Sequence, residues 1–195
     1  MQFKIVTRTD PDRAIAEALI QDVYHRRYGA AVQQFPDRLA VAIDSTGTAV
    51  CAAGIRTAAS GFFSETYLDL PVEQAIARLA VEPVARETIL EVTTLAALRP
   101  GAAFRLIDFI IADGRDAGMR WGLFTATRPL RHSLLRAGVG LIEVARAERN
   151  RAPDPDIWGR YYETDPFVCA VFGETCCSRA AALSFDRRMQ DIHRA

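Results

Sequence analysis

The sequence predicts an α+β domain in which one mixed β-sheet carries helices on both faces. In the first half, two short apolar runs flank a turn, which is the pattern of an antiparallel hairpin. In the second half, β-rich and helical runs follow in the order strand, helix, strand, helix, strand, which favours parallel pairing with right-handed crossovers. The 195 residues suit a single domain, and they contain neither an internal repeat nor a linker.

Local signals define the elements of the first half. Asp10 or Asp12 can cap a helix whose apolar residues recur every four positions, and Gly29 ends that helix. The sequence Asp44-Ser-Thr-Gly47 forms the turn of the hairpin, and Pro71 stands at the start of a short helix. The predicted elements are a strand at 3–7, a helix to about 28, strands at 39–43 and 49–55, and a helix at 72–79.

Glycines punctuate the second half. Pro100-Gly101 separates a β-rich run from the third predicted helix, and Gly118 and Gly138 follow helical runs as C-terminal glycines do. The predicted strands are 88–95, 121–125, 139–144 and 167–172, and the predicted helices are 102–117, 130–137 and an amphipathic C-terminal helix from about Ser178. These elements make one domain that spans residues 1–195.

The composition excludes several classes of protein. Lys+Arg 24 balance Asp+Glu 24, and this neutrality argues against binding to nucleic acid, which needs a basic face. The chain has no run of about 20 apolar residues that would span a membrane and no apolar secretory signal at its N-terminus. Its four cysteines form neither a C-x-x-C motif nor a zinc-binding pattern, so no metal is expected. We therefore expect a cytoplasmic protein with reduced thiols.

Glu91 is a candidate catalytic residue because it interrupts an otherwise uncharged strand. Side chains alternate along a strand, so Glu91 shares a face with Thr93 and Leu95. A carboxylate in the middle of a strand costs stability unless it is paired or reaches solvent. Glu91 therefore either forms a salt bridge with an arginine such as Arg56 or Arg86, or lines a cleft as a general base.

The turn before the third predicted helix is a candidate phosphate site. Gly101 and the small residues Ala102 and Ala103 lead into the helix, and Arg99 and Arg105 flank them. Backbone N–H groups at a helix N-terminus, together with the helix dipole, favour a bound anion. Most turns of this kind bind nothing, so the turn alone leaves its function open.

Two segments combine aromatic rings with polar groups. The segment at 158–163 holds Trp158, Tyr161 and Tyr162, and such residues either line a small-molecule pocket or fill a core. The segment at 62–69 holds Glu65 and Tyr67, and it forms either a binding rim or a plain lid.

Five separated blocks resemble the thermostable hemolysin family in order and spacing, over residues 20 to 175. The blocks are Gly54-Ile55-Arg56, Phe63-x-Glu65-x-Tyr67-Leu68-Asp69-x-Pro71-x-Glu73, Glu91-Val92-x-x-Leu95-Ala96, Phe124-Thr125-Ala126-Thr127 and Trp158-Gly159-x-Tyr161-Tyr162-Glu163. That family is similar in fold to the GCN5-related N-acyltransferases, and especially to the acyl-homoserine-lactone synthases. The resemblance implies a mixed sheet that is splayed at two central parallel strands.

The resemblance also implies roles for particular residues. The pantetheine arm of the donor would lie in the splay, and its pyrophosphate would meet the turn from Leu98 to Ala103. Glu91 matches the catalytic glutamate of the autoinducer synthases. The chain departs from the resemblance at Thr93-Thr94, where the family usually has Gly-Asn, and at Leu134, where many acyltransferases place a tyrosine acid.

On this basis we expect an acyltransferase-like enzyme that moves an acyl group from a thioester to the amine of a small metabolite. The thioester would be carried on coenzyme A or on an acyl-carrier protein, with no tightly bound cofactor. The expected catalytic residues are Glu91 as base and Tyr161 or Tyr162 as acid. The expected donor-binding residues are Thr93, Leu95, Arg99, Gly101, Ala102, Ala103 and Arg105. The expected acceptor-binding residues are Arg56, Glu65, Tyr67, Thr125 and Trp158.

Two alternatives stay open at the level of sequence. One is a biosynthetic enzyme of specialised metabolism that uses the same fold with a donor other than an acyl thioester, since fold does not fix function. The other is a non-enzymatic binding or lytic protein, against which the neutral charge and the lack of long apolar segments both argue.

Overall fold

Seven strands form one mixed sheet in the computed structural model, which describes residues 1–99 and 101–173. The strands are β1 (Gln2–Val6), β2 (Arg38–Ile43), β3 (Ala49–Thr57), β4 (Ile89–Ala97), β5 (Trp121–Ala126), β6 (Leu141–Arg146) and β7 (Phe167–Phe172). The helices are α1 (Arg13–Tyr28), α2 (Val72–Ala80), α3 (Ala102–Asp116) and α4 (Arg128–Arg136). The C-terminal helix predicted from about Ser178 lies outside the described residues.

The predicted α+β fold is confirmed, and the position of one strand corrects the predicted pairing. β2 and β3 form the antiparallel hairpin, and β4 pairs in parallel with β5 after the α3 crossover. β5 and β6 do not pair, because β7 lies between them and runs antiparallel to both. The sequence pattern shows that β7 is a strand, but it carries no signal for the neighbours that β7 joins.

Helices cover both faces of the sheet because its strands alternate two apolar sets. Leu39 and Val41 of β2 pack in the cluster that includes α1, whereas Ala40 and Ala42 pack with Leu106 of α3 on the opposite face. α2 packs against β6 on the α1 face and shares a buried cluster with residues of β4, β5 and β7. Both faces thus carry helices, and the two central strands separate between them.

β4 and β5 separate at their C-terminal ends. Their register begins at Ile89 with Trp121 and ends at Val92 with Phe124, although β4 continues to Ala97. The splay that the resemblance implies is therefore present, and it opens a gap in the middle of the sheet.

A bulge reshapes β4 just beyond the point of separation. Gly54 of β3 pairs with Thr93, and the next register pair joins Ala52 to Ala96, so β4 has one residue more than β3 between these pairs. Thr94 takes up the extra length with a left-handed φ of 47°. Residues of a bulge are not paired regularly, so backbone groups become available at the edge of the gap.

Thr94→Gly is expected to raise the free energy of unfolding by about 1 kcal/mol. A left-handed backbone costs a residue with a Cβ roughly 1–2 kcal/mol, and glycine avoids this cost. Glycine in turn destabilises the folded state by about 0.5–1 kcal/mol, because its backbone loses more entropy on folding, so a net gain in stability remains. The Thr94 hydroxyl is also buried without a partner in the described part of the chain, and its removal adds to the gain.

Chemical denaturation measures this change, and Thr94→Val is the matched variant. Valine keeps the β-branched shape and the strain and removes only the hydroxyl, so its gain should be smaller. A Thr94→Gly protein less stable than the wild type would contradict the strain assigned to this position.

Candidate active site

A cavity of about 1030 Å³ occupies the gap between β4 and β5 and reaches both faces of the sheet. One end is bounded by α1, β3 and the 155–161 segment, and the other lies between α3 and α4. Eleven of the site residues predicted from the sequence line it, namely Arg56, Tyr67, Glu91, Thr93, Leu95, Arg99, Gly101, Ala103, Thr125, Trp158 and Tyr161.

Four predicted residues are not in the cavity lining: Glu65, Ala102, Arg105 and Tyr162. Glu65 is bound by Arg86, with Nη2 donating to Oε2 at 2.8 Å, so it fastens its segment to the rest of the domain. The Tyr162 hydroxyl lies 2.8 Å from that of Tyr67. Arg105 stacks over an aromatic ring of β1, and Ala102 is buried in the α3 core. Each of these four residues contacts another part of the domain instead of the cavity, and spacing along the sequence carries no signal of such contacts.

Glu91 is fully buried and is held by three hydrogen-bond donors. Its Oε2 accepts the backbone N–H of Phe63 at 2.7 Å. Its Oε1 accepts the backbone N–H of Ser64 at 2.8 Å and the Ser64 hydroxyl at 2.6 Å. The described residues place no arginine within ion-pair distance of Glu91, and Arg86 instead pairs with Glu65 and Glu73. The salt bridge that the sequence left open is therefore not formed.

Burial raises the pKa of Glu91, while the hydrogen bonds from Ser64 and Phe63 and the charge of Arg56 oppose this rise. The net direction is upward, because desolvation of the carboxylate is the largest effect. A raised pKa makes a carboxylate a stronger base than an ordinary glutamate, and a carboxylate of this kind beside a cavity suits general-base catalysis.

Ser64 is a site residue that the sequence analysis did not single out. Its hydroxyl has one proton, which it donates to Glu91, so it accepts the proton of the Thr125 hydroxyl across 3.2 Å. The Tyr161 hydroxyl donates to the Thr125 carbonyl oxygen at 3.3 Å. Side chains from β4, β5 and two loops thus form one network around the gap. A serine inside an aromatic run carries no local signal of this role.

Aromatic rings form the wall of the cavity on the α1 side. The Trp158 ring lies 5.6 Å from Phe63 and 5.8 Å from Tyr161, measured between centroids. The segment packs tightly against the end of α1, since a Cβ on Gly159 would collide with the Tyr28 carbonyl oxygen. The predicted aromatic patch therefore lines a cavity and also completes a core cluster.

The other end of the cavity meets the N-terminus of α3. Gly101 precedes the helix with a φ of 80°, and as a glycine at the N-cap position it offers no side chain to cap the first turn. Ala103 of that turn lines the cavity, and Arg99 lies beside it with a weak contact of 3.8 Å to Asp44. Apolar side chains of α3 and α4, including Leu134, continue the lining. This end combines a helix N-terminus at the cavity wall with an apolar channel.

Comparison with known families identifies the chain. The profile described as thermostable hemolysin matches residues 6–176. The chain belongs to the thermostable hemolysin family. No curated protein matches this hemolysin-family chain in a sequence comparison.

Solved structures similar to this hemolysin-family chain share its fold at low sequence identity. FeeM, an N-acyl amino acid synthase from uncultured soil microbes, has a TM-score of 0.62 at 12% identity and covers 93% of this chain and 99% of its own. The acyl-homoserine-lactone synthase LasI has a TM-score of 0.61 at 11% identity, covering 88% and 89%. BjaI, a CoA-dependent acyl-homoserine-lactone synthase solved with SAM and isopentyl-CoA, has a TM-score of 0.57 at 11% identity, covering 96% and 89%.

These likenesses confirm the predicted N-acyltransferase-like fold of the hemolysin-family chain. Among residues 1–99 and 101–173, none of the helices has the length and apolar character needed to cross a bilayer.

The stability of the protein relative to Glu91→Gln is expected to fall as the pH rises above about 4.5, the ordinary pKa of a glutamate. A pKa raised by folding means that the folded state binds the proton more tightly than the unfolded state does. The contribution of Glu91 is therefore fully present below the unfolded pKa and is lost as the pH rises through the folded pKa. Glutamine binds no proton and lacks this dependence.

Urea denaturation of both proteins at a series of pH values measures the difference in their free energies of unfolding. The difference should change with pH and then level off above the folded pKa. A difference that is constant from pH 4 to 8 would show that the pKa of Glu91 is not raised.

Proposed function

We propose that the protein is an enzyme that transfers an acyl group from a thioester to the amine of a small metabolite. The observation that carries this proposal is the position of Glu91, a buried carboxylate at the edge of the gap between two diverging parallel strands. Support comes from the activities named for FeeM and LasI, which share this fold.

The donor would enter from the α3 end of the cavity. The uncapped N-terminus of α3 and Arg99 suit a pyrophosphate, and the gap would take the extended pantetheine arm. The isopentyl-CoA bound to BjaI supports a coenzyme A thioester on this fold. An acyl-carrier protein would present the same arm, so both remain donors in this proposal.

The transfer has a balanced set of bond changes. Glu91, directly or through a water molecule, takes a proton from the amine, and the nitrogen attacks the carbonyl carbon of the thioester. Backbone N–H groups at the β4 bulge would stabilise the negative oxygen that develops. The C–S bond then breaks, the C–N amide bond remains, and the thiolate takes a proton.

Tyr161 is placed better than Tyr162 to supply that proton. The Tyr161 side chain lines the cavity, and its hydroxyl contacts the Thr125 backbone at the gap. Tyr162 lies outside the lining and is engaged with Tyr67. A tyrosine hydroxyl carries its proton at neutral pH, and burial raises the pKa of Tyr161 further, so the proton is present to be donated.

Ala103→Glu is expected to abolish coenzyme A binding while leaving the fold intact. Glutamate is compatible with the first turn of a helix, but its charge would occupy the place of the pyrophosphate. Ala103 is the preferred position, since the left-handed φ of Gly101 would strain any side chain introduced there. Ala112→Glu is the matched control, being exposed on the same helix and outside the cavity lining.

Calorimetry of coenzyme A binding and thermal melts read out this experiment. Coenzyme A at about 100 times its dissociation constant should stabilise the wild type and Ala112→Glu by roughly 2.7 kcal/mol, and Ala103→Glu by nothing. Equal binding to both variants would contradict the assigned donor site.

Glu91→Gln is expected to lower turnover by about 10²–10⁴-fold, the usual contribution of a general base. It should also cost about 1–3 kcal/mol of stability, because glutamine offers one acceptor oxygen where three donors point. Turnover is measured as thiol release from acyl-coenzyme A in the presence of amines.

Glu73→Gln provides the control for the stability loss. Glu73 is a half-buried carboxylate that pairs with Arg86 at 2.9 Å and lies outside the cavity lining. This variant should lose stability but keep its turnover. If Glu91→Gln retained full turnover while folded, Glu91 would not be the base.

A further inference from the structure

Arg56 stands directly across from Glu91 in the sheet. The two residues are register partners on the antiparallel strands β3 and β4, and both line the cavity. Opposite residues on neighbouring strands project from the same face, with Cβ atoms about 4.5–5.5 Å apart. One cation and one carboxyl group therefore lie side by side at the end of the cavity that α1, β3 and the 155–161 segment bound.

Arg56 is not paired with a carboxylate within the described part of the chain. Its only hydrogen bond there joins Nη1 to the Ser60 carbonyl oxygen at 3.3 Å, whereas a guanidinium has five N–H donors. Glu91 does not take these donors: its oxygens accept from Phe63 and Ser64 instead, which fill three of the about four acceptor sites of a carboxylate, and no ion pair with Arg56 forms among the described residues. The guanidinium is thus available to an anion inside the cavity.

A second donor at this end lacks an acceptor. Trp158 lines the cavity, and its Nε1 is buried with no hydrogen-bond partner among residues 1–99 and 101–173. Buried polar groups are nearly always hydrogen-bonded in folded proteins, so an orphaned donor at a cavity wall points to an acceptor brought by a ligand.

We infer that the acyl acceptor is an α-amino acid, whose amino group meets Glu91 and whose carboxylate is bound by Arg56 and the Trp158 indole N–H. This inference rests on the proposed function, and it specifies the acceptor of the same site. The product is an N-acyl amino acid, formed as the C–S bond of the thioester gives way to an amide bond with release of the thiol.

The separation of the two charges selects the α-amino acid. In such a molecule two bonds join the nitrogen to the carboxylate carbon, a span of about 2.5 Å. Neighbouring positions on two strands can contact both groups at once. An amino acid with its amine at the far end of a long chain places the groups too far apart for this pair of residues.

A panel of acceptors tests the inference with the full-length protein and one acyl-coenzyme A. The panel holds the twenty α-amino acids and, for the best of them, its methyl ester, its decarboxylated amine and 6-aminohexanoate. Thiol release and the mass of the product are measured. We expect kcat/KM for the α-amino acid to exceed that for the other three by about 100-fold, since a site built around a polar group discriminates strongly against its loss.

Arg56→Gln should lower kcat/KM for the α-amino acid to near the value for its methyl ester and leave the ester unchanged. Arg56→Lys should recover part of the loss, since lysine keeps the charge without the bidentate geometry. Arg78→Gln, on an exposed part of α2 outside the cavity lining, should behave as the wild type does.

The outcomes separate the inference from the proposed function. Transfer to the decarboxylated amine or to the methyl ester at the same rate as to the amino acid would overturn the inference and leave acyl transfer standing. Absence of transfer to every amine would overturn the proposed function, and the inference with it. The wild-type panel decides between these results even if Arg56 variants do not fold.

Discussion

Burial of the Glu91 carboxylate is the constraint around which the centre of the molecule is arranged. A carboxyl group with no exposed surface is costly unless donors replace the water it has lost. Two backbone N–H groups and one hydroxyl supply them, and all three come from the loop that follows β3. The loop is therefore fastened over β4, and it becomes the wall of the cavity.

The separation of β4 from β5 creates the same need for hydrogen-bond partners, here for backbone groups. Strands that diverge leave carbonyl and N–H groups without sheet partners, and buried groups of this kind need other partners. The Tyr161 hydroxyl provides one at Thr125, and the Thr125 side chain continues to Ser64 and Glu91. Hydrogen bonds between side chains and backbone thus surround the gap, and through Thr125 and Ser64 they connect the proposed acid to the proposed base.

Local patterns in the sequence were sufficient for the individual elements and for Glu91 as a candidate. Periodicity, turn residues and terminal glycines are signals within a few residues of each element, and a single charge in an apolar strand is equally local. The position of β7, the bulge at Thr94 and the role of Ser64 depend on contacts between distant segments, which leave no local pattern. Glu65 shows the same limit, because Arg86, which binds it, lies in a separate segment before β4.

The chemistry of Glu91 depends on whether its oxygens bind Arg56 or the donors of Phe63 and Ser64. Arg56 is its register partner, and an ion pair between them would lower the pKa of Glu91 and leave a poor base. The donors of Phe63 and Ser64 occupy the carboxylate instead, so the effect of Arg56 is confined to its charge, and desolvation raises the pKa. The same arrangement leaves the guanidinium without an internal anion. The loop after β3 binds Glu91 through Phe63 and Ser64. Because this contact takes the place of an ion pair with Arg56, it accounts for both the basicity of the carboxyl group and the availability of the neighbouring cation in the cavity.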